Sequence, residues 1–169
     1  MKLVLFILAA CPLLGQQQQL AVAPGALNPA VTQENLKSTV CAAPTKDKDG
    51  KVHHWIEDRR PPVSFTNNIK YKLMKEAGIP LEKSGLLELD HRQGILNSGA
   101  PDKEENLQLQ WWVGPNNARM KDRLEVYEHR QLCAGKITLA QIQAIFAGDY
   151  WAEYDKLAPS MGWPNRTGK

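Results

Sequence analysis

Residues 86–121 read LLELDHRQGILNSGAPDKEENLQLQWWVGPNNARMK, and the periodicity of this stretch decides the fold. Leu86, Leu87 and Leu89 form a short apolar run that ends at Asp90 and His91, as a strand does when it delivers polar side chains to a site. Gly94, Asn97, Ser98, Gly99, Pro101 and Asp102 then fall within nine positions and mark a long turn. Asn106-Leu107-Gln108-Leu109-Gln110 alternates polar and apolar, which suits a half-buried second strand. Gly114-Pro115 breaks it. From Asn116 to Leu132 the spacing of Met120, Leu124 and Tyr127, with Leu132 further on, predicts a helix with Asn116 or Asn117 near its N-cap.

A strand, a long turn, a second strand and a helix, with Asp90-His91, Asn106-Leu107, Asn117 and Lys121 in that order, resemble the ββα-metal finger of the HNH endonucleases. The flanking words Asn28-Pro29-Ala30-Val31-Thr32-Gln33, Pro61-Pro62-Val63-Ser64-Phe65-Thr66-Asn67, Lys121-Asp122 and Cys133-Ala134-Gly135 are similar to those of small secreted bacterial proteins with an HNH-like core. The resemblance spans most of the chain after about residue 28. It implies that His91 is the general base, that Asp90 and Asn117 hold one divalent ion, and that Asn106 steadies the loop and the base. The chain departs from the pattern at Gly94, where Pro is common, at Ser98-Gly99 in place of Gly-Gly, and in lacking a late His on the helix.

The chemistry that the resemblance implies can be argued on these residues. Cutting a phosphodiester needs a base to activate water and a cation to neutralise the phosphate and the leaving oxygen. A neutral imidazole such as His91 titrates near working pH. One carboxylate and one amide oxygen leave most of a coordination sphere to water and phosphate, which favours Mg²⁺ or Mn²⁺ over a closed zinc site. Lys121, one turn beyond Asn117, is expected to face a phosphate. Arg59 and Arg60 precede Pro61-Pro62 in an extended segment, and a helix from Asn67 to Ala77, capped by Thr66, adds Lys70, Lys72 and Lys75. Together these make a local basic patch that would meet nucleic acid, DNA foremost.

Nothing stronger comes from overall composition. The chain has 169 residues, room for one domain, and its 21 basic and 18 acidic residues give a net charge of +3, too small for a global field around nucleic acid.

Lys2 followed by the apolar run Leu3–Leu14 has the layout of a secretory signal peptide, too short for a stable membrane span. Cleavage after Gly15 leaves a leader of residues 16–29, rich in Gln, Ala, Gly and Pro and expected to be disordered. The alternative is a lipid anchor at Cys11, because Leu8-Ala9-Ala10-Cys11 is similar to a bacterial lipobox. The mature chain then holds Cys41 and Cys133, which in a secreted or periplasmic protein read as a disulfide. Asp47-Lys48-Asp49-Gly50 reads as a solvated turn, since an EF-hand register would put Ile56 at the twelfth position. His53-His54 is held as surface. His129 lies four residues after Glu125 and can pair with it. Trp111-Trp112 would stack bases or fill core. Thr138 caps a further helix with Ile142, Ile145 and Phe146 on one face, and residues 149–157 finish the domain.

The expectation is an α+β fold, mostly helical, with a small antiparallel hairpin carrying the finger. A single domain covers 30–158 and a flexible tail covers 159–169. The function expected first is a secreted, metal-dependent endonuclease of DNA, and of RNA as a second substrate; the alternative is a non-catalytic envelope or secreted binding protein that keeps the scaffold.

Overall fold

The computed structural model describes residues 24–167; the signal-peptide segment, the Cys11 anchor and residues 16–23 lie outside the described residues. Strands β1 (Thr45–Lys46) and β2 (Val52–His53) are followed by helix α1 (Val63–Glu76), strands β3 (Leu87–His91) and β4 (Leu107–Trp111), and helices α2 (Ala118–Cys133), α3 (Leu139–Ala147) and α4 (Tyr150–Met161). The class is α+β, with two separate antiparallel hairpins, β1-β2 and β3-β4. In the first, Asp47 Oδ1 accepts from the N–H groups of Asp49 and Lys51 while Gly50 takes φ +79°, so an Asx-type turn closes it.

The β3-β4 register sets Glu88 opposite Gln110, Asp90 opposite Gln108 and His91 opposite Leu107. Side chains alternate across a strand, so Glu88, Asp90, Gln108 and Gln110 share one face and Leu87, Leu89, Leu107 and Leu109 share the other. α1 packs against β4, and its Lys70 Nζ donates to the Leu87 carbonyl at 2.8 Å. The polar face is covered too. Lys121 of α2 pairs with Asp90, and Gln110 donates to the Tyr150 hydroxyl of α4. The alternating pattern of β4, read as one wet face and one buried, therefore belongs to a strand whose polar face carries a buried polar layer.

The main apolar core lies elsewhere, among Met120, Leu124 and Leu132 of α2, Ile142 and Phe146 of α3, and Tyr150, Trp151 and Tyr154 of α4, closed by Val31, Leu36 and Val40 from the N-terminal segment. Caps fix the helix boundaries. Asn117 accepts from Met120 N, Thr138 from Gln141 N and Asp149 from Trp151 N. Gly135, at φ +70°, ends α2.

Three boundaries differ from the sequence reading. α1 begins at Val63, not Asn67: Pro62 sits at its N-cap, and Thr66 lies inside the helix with its hydroxyl donating to the Val63 carbonyl. Residues 25–28 of the leader are held to the site loop, with Asn28 N donating to Ser98 O and Ala100 N to Ala26 O. At the other end α4 runs through Pro159 to Met161, Trp163 packs on Tyr154, and Arg166 pairs with Asp155. The segment expected to be a loose tail thus makes contacts with the domain as far as Arg166.

Cys41 and Cys133 are bonded, with an S–S distance of 1.98 Å, across a sequence separation of 92. The bridge ties the N-terminal segment to the end of α2. Replacing both cysteines by serine is expected to lower unfolding free energy by at most about 4 to 5 kcal/mol, read as a lower urea midpoint with little change in far-UV circular dichroism. A midpoint equal to wild type would show that other contacts already close this loop.

Candidate active site on the β3-β4 hairpin

Asp90 and His91 stand at the end of β3, and the loop that follows is built around one buried amide. Asn106 is fully buried; its Oδ1 accepts from Gln93 N at 2.9 Å, and its Nδ2 donates to Gln93 O at 3.0 Å and Ala100 O at 2.8 Å. Every capacity of that side chain is spent on the loop, save one acceptor lone pair. Close approach needs glycines here: a Cβ at Gly99 would lie 1.7 Å from Gln93 O, and one at Gly25 would lie 2.2 Å from Asn106 Oδ1. Asn106 is therefore a positioning residue.

The loop in turn orients the imidazole. His91 Nε2 lies 3.0 Å from the Pro101 carbonyl oxygen. A carbonyl only accepts, so in the neutral ring Nε2 carries the proton and Nδ1 keeps the lone pair. Burial pulls the His91 pKa below its ordinary value, against the opposing pull of the Pro101 hydrogen bond and the Asp90 charge. A neutral imidazole with a free nitrogen is the state a general base requires.

Two adjoining clefts, of about 420 and 260 Å³, both touch Arg60, Glu88, Asp90 and His91. Lys70 and Trp112 line the larger; Gly94, Asp122 and Glu125 line the smaller. Of the two arginines, only Arg60 reaches these clefts. Arg59 stacks on the Trp55 ring at 3.9 Å and donates to the Trp55 carbonyl. Trp111 is exposed, beside the larger cleft but outside its lining.

Lys121 differs most from expectation. It does not face a phosphate: its side chain is 0% exposed, and Nζ lies 2.7 Å from Asp90 Oδ2, 2.5 Å from Glu125 Oε1 and 2.8 Å from the His91 carbonyl. Burial alone would pull this ammonium down, but Glu125 and Asp90 outweigh it and hold the pKa above the ordinary lysine value. Gly94, a departure from the HNH pattern, makes room for this cluster, since a Cβ there would lie 2.5 Å from Glu125 Oε1.

Nor does Asn117 lie open to a metal. Its Oδ1 caps α2 on Met120 N at 3.2 Å and its Nδ2 donates to Gly114 O at 2.6 Å. Asp90 Oδ1 accepts from His91 N at 2.7 Å. Among the described residues no three His, Cys, Asp or Glu side chains gather to hold a metal ion, so the donor set present does not fit the Mg²⁺ or Mn²⁺ that the resemblance implies. His129 donates Nδ1–H to the Leu96 carbonyl at 2.9 Å instead of pairing with Glu125.

Three acids at the site went unrecognised in the sequence: Glu88, Asp122 and Glu125. Glu88 carried a signal, two residues before Asp90 on the same strand face, and Glu125 another, one helical turn after Lys121. Burial, followed by the charges of Asp90 and Asp122, pushes Glu88 up to about 7, and its Oε2 is buried without a hydrogen-bond partner. Set against models of known protein families, curated proteins and solved structures, the chain matches none of them.

Two outcomes follow from this geometry. Asn106→Ala strands one N–H and two carbonyls and is expected to cost about 3 kcal/mol or more, measured by urea unfolding; a loss under about 1 kcal/mol would mean that water replaces the amide. Glu88 is the pH-dependent case. A carboxyl raised in the folded state binds its proton more tightly there, so its contribution is present below the unfolded value near 4.5 and lost as pH rises through about 7. Glu88→Gln should therefore gain roughly 1 kcal/mol at pH 8, about 2 to 4 °C in Tm after solvent screening, and nothing at pH 4. An equal gain at both values would put the effect down to packing.

Proposed function

We propose that this chain cleaves phosphodiester bonds of nucleic acid, DNA foremost and RNA as a second substrate, with His91 as the general base. The observation that carries this reading is the imidazole held neutral at a cleft, with Nε2 committed to the Pro101 carbonyl and Nδ1 left as acceptor. Arg60 at the mouth of both clefts supplies a guanidinium for the phosphate. In the step envisaged, Nδ1 takes a proton from the attacking hydroxyl as its oxygen bonds to phosphorus. The opposite P–O bond breaks, and the leaving oxygen takes a proton from water. The hydroxyl is that of water on DNA, or the substrate's own 2′-OH on RNA.

The setting proposed is a bacterial envelope or extracellular space, where the Cys41–Cys133 bond is stable. Among the described residues no helix is long and apolar enough to cross a membrane.

A second reading is favoured by a different observation. Asp90, which the HNH resemblance assigns to a metal, is bound to Lys121, and this supports a non-catalytic protein that keeps the scaffold to bind a protein or cell-wall partner. A nicking assay on supercoiled plasmid, with a structured RNA in parallel, separates the two. The oxidised protein is run with Mg²⁺, with Mn²⁺ and with EDTA, beside His91→Ala and Arg60→Ala. Cleavage is expected to fall at least about 100-fold in His91→Ala and less in Arg60→Ala. A folded protein that cuts neither substrate under any of these conditions gives the case to the binding scaffold.

A further inference from the structure

We propose that Lys121 is the resident cation of this finger: its ammonium fills the place among Asp90, Glu125 and the His91 carbonyl that a divalent ion would otherwise take, and the site binds none. The inference concerns ion binding alone and stands whether or not the chain cuts nucleic acid.

An ammonium has three N–H donors and no acceptor. Here two donate hydrogen bonds, at 2.5 Å to Glu125 and 2.8 Å to the His91 carbonyl, and the Asp90 carboxylate meets the charge as an ion pair at 2.7 Å. Two carboxylates and a main-chain carbonyl, all oxygen, form the kind of set a hard cation takes. One member is Asp90, the strand-end acid of the Asp-His pair. The ammonium is sealed beneath the hairpin, with the Phe146 ring 5.9 Å from Nζ.

Displacement by an ion would be costly in two ways. The ammonium would have to give up the two carboxylates that meet its charge, and an unpaired buried charge is strongly destabilising. If it stayed, the ion would enter beside a positive charge and share oxygens already engaged. Glu125 lies against the bare Cα of Gly94, where a Cβ would lie 2.5 to 2.8 Å from the carboxylate atoms. The glycine therefore leaves the room Glu125 needs to reach the ammonium. Asn117 cannot complete a coordination sphere while both ends of its amide serve the start of α2.

The test reads ion binding directly. Ca²⁺ is the first probe, because its ligand distances of about 2.3 to 2.6 Å come closest to the spacing around Nζ, and Mn²⁺ is the second. Wild-type protein, Lys121→Ala, and Lys121→Ala combined with Glu125→Gln are titrated by calorimetry and melted with and without ion. Wild type is expected to show no saturable binding into the millimolar range and no change of Tm between ion and EDTA. Lys121→Ala is expected to melt well below wild type in EDTA and to recover part of that loss with Ca²⁺ in a saturable, one-to-one manner. Where it is unfolded without ion, refolding on Ca²⁺ addition, followed by circular dichroism, is the same result. The second substitution should weaken this binding at least about 10-fold.

One-to-one binding by wild type that Asp90→Asn removes would overturn the proposal. So would a Lys121→Ala chain whose melting the ion leaves unchanged, or one that the ion does not refold. Failure of the nuclease reading would show only in the nicking assay, leaving these titrations as they are.

Discussion

Lys121 and its two carboxylates hold the hairpin to the long helix, and the rest of the site depends on that contact. A lysine with no exposed surface is tolerable only if its charge is met, because the desolvation cost of an isolated ammonium exceeds what a small domain can absorb. Asp90 meets it from β3 and Glu125 from α2. Ion pairs of this kind add little net stability compared with an apolar contact, but they specify register. A one-residue slip of β3 would turn Asp90 to the other face and leave the ammonium short of an acceptor. The cluster thus fixes which face of the hairpin meets α2, and with it where His91 emerges at the strand end.

That arrangement explains the unusual polar layer. Glu88, Asp90, Gln108 and Gln110 face α2 and α4, where a typical hairpin on a helix would present leucines. Several of their atoms, among them Glu88 Oε2 and Gln110 Oε1, lie buried without a partner. Unsatisfied polar atoms cost free energy, and such costs concentrate at functional sites more often than in structural cores. The apolar core around Leu124, Ile142, Phe146 and Tyr154 and the Cys41–Cys133 bond supply the compensating stability from outside the site.

Much of this was readable in the sequence. Both strands of the β3-β4 hairpin, the long turn and the cap at Asn117 follow from alternation, turn residues and N-cap chemistry, because those signals are local. The Cys41–Cys133 pair followed from parity and compartment. The burial of Lys121 did not. On a helix, Lys and Glu at i and i+4 normally mark a wet face, and only the partner strand, some 30 residues earlier, turns that face inward. The place of Glu125 depends equally on Gly94, whose missing Cβ matters only once the loop has folded back. Residues 25–28 escaped for the same reason: a Gly- and Ala-rich segment has no periodicity, and its order comes from the site loop's own N–H and carbonyl groups. Thr66 misled because Ser, Thr and Asn favour caps, whereas here Pro62 fixes the extended geometry that starts α1 four residues earlier.

Gly94 and the burial of Lys121 are best understood together. A metal ion held between the strand end and the helix start would need the acid at the one and the amide at the other as free oxygen ligands. In this chain the acid is taken by an ammonium, and the helix-start amide is taken by the backbone. The ammonium's counterpart, Glu125, reaches it only across a glycine. Each of these three contacts works against a metal site, and together they fit a site organised around an internal cation. The ammonium touches His91 only at its main-chain carbonyl; the ring's tautomer is set by the Pro101 carbonyl, and the loop that holds Pro101 is set by Asn106. The turn between the strands therefore orients the ring, while the cation cluster holds the strand end that carries it.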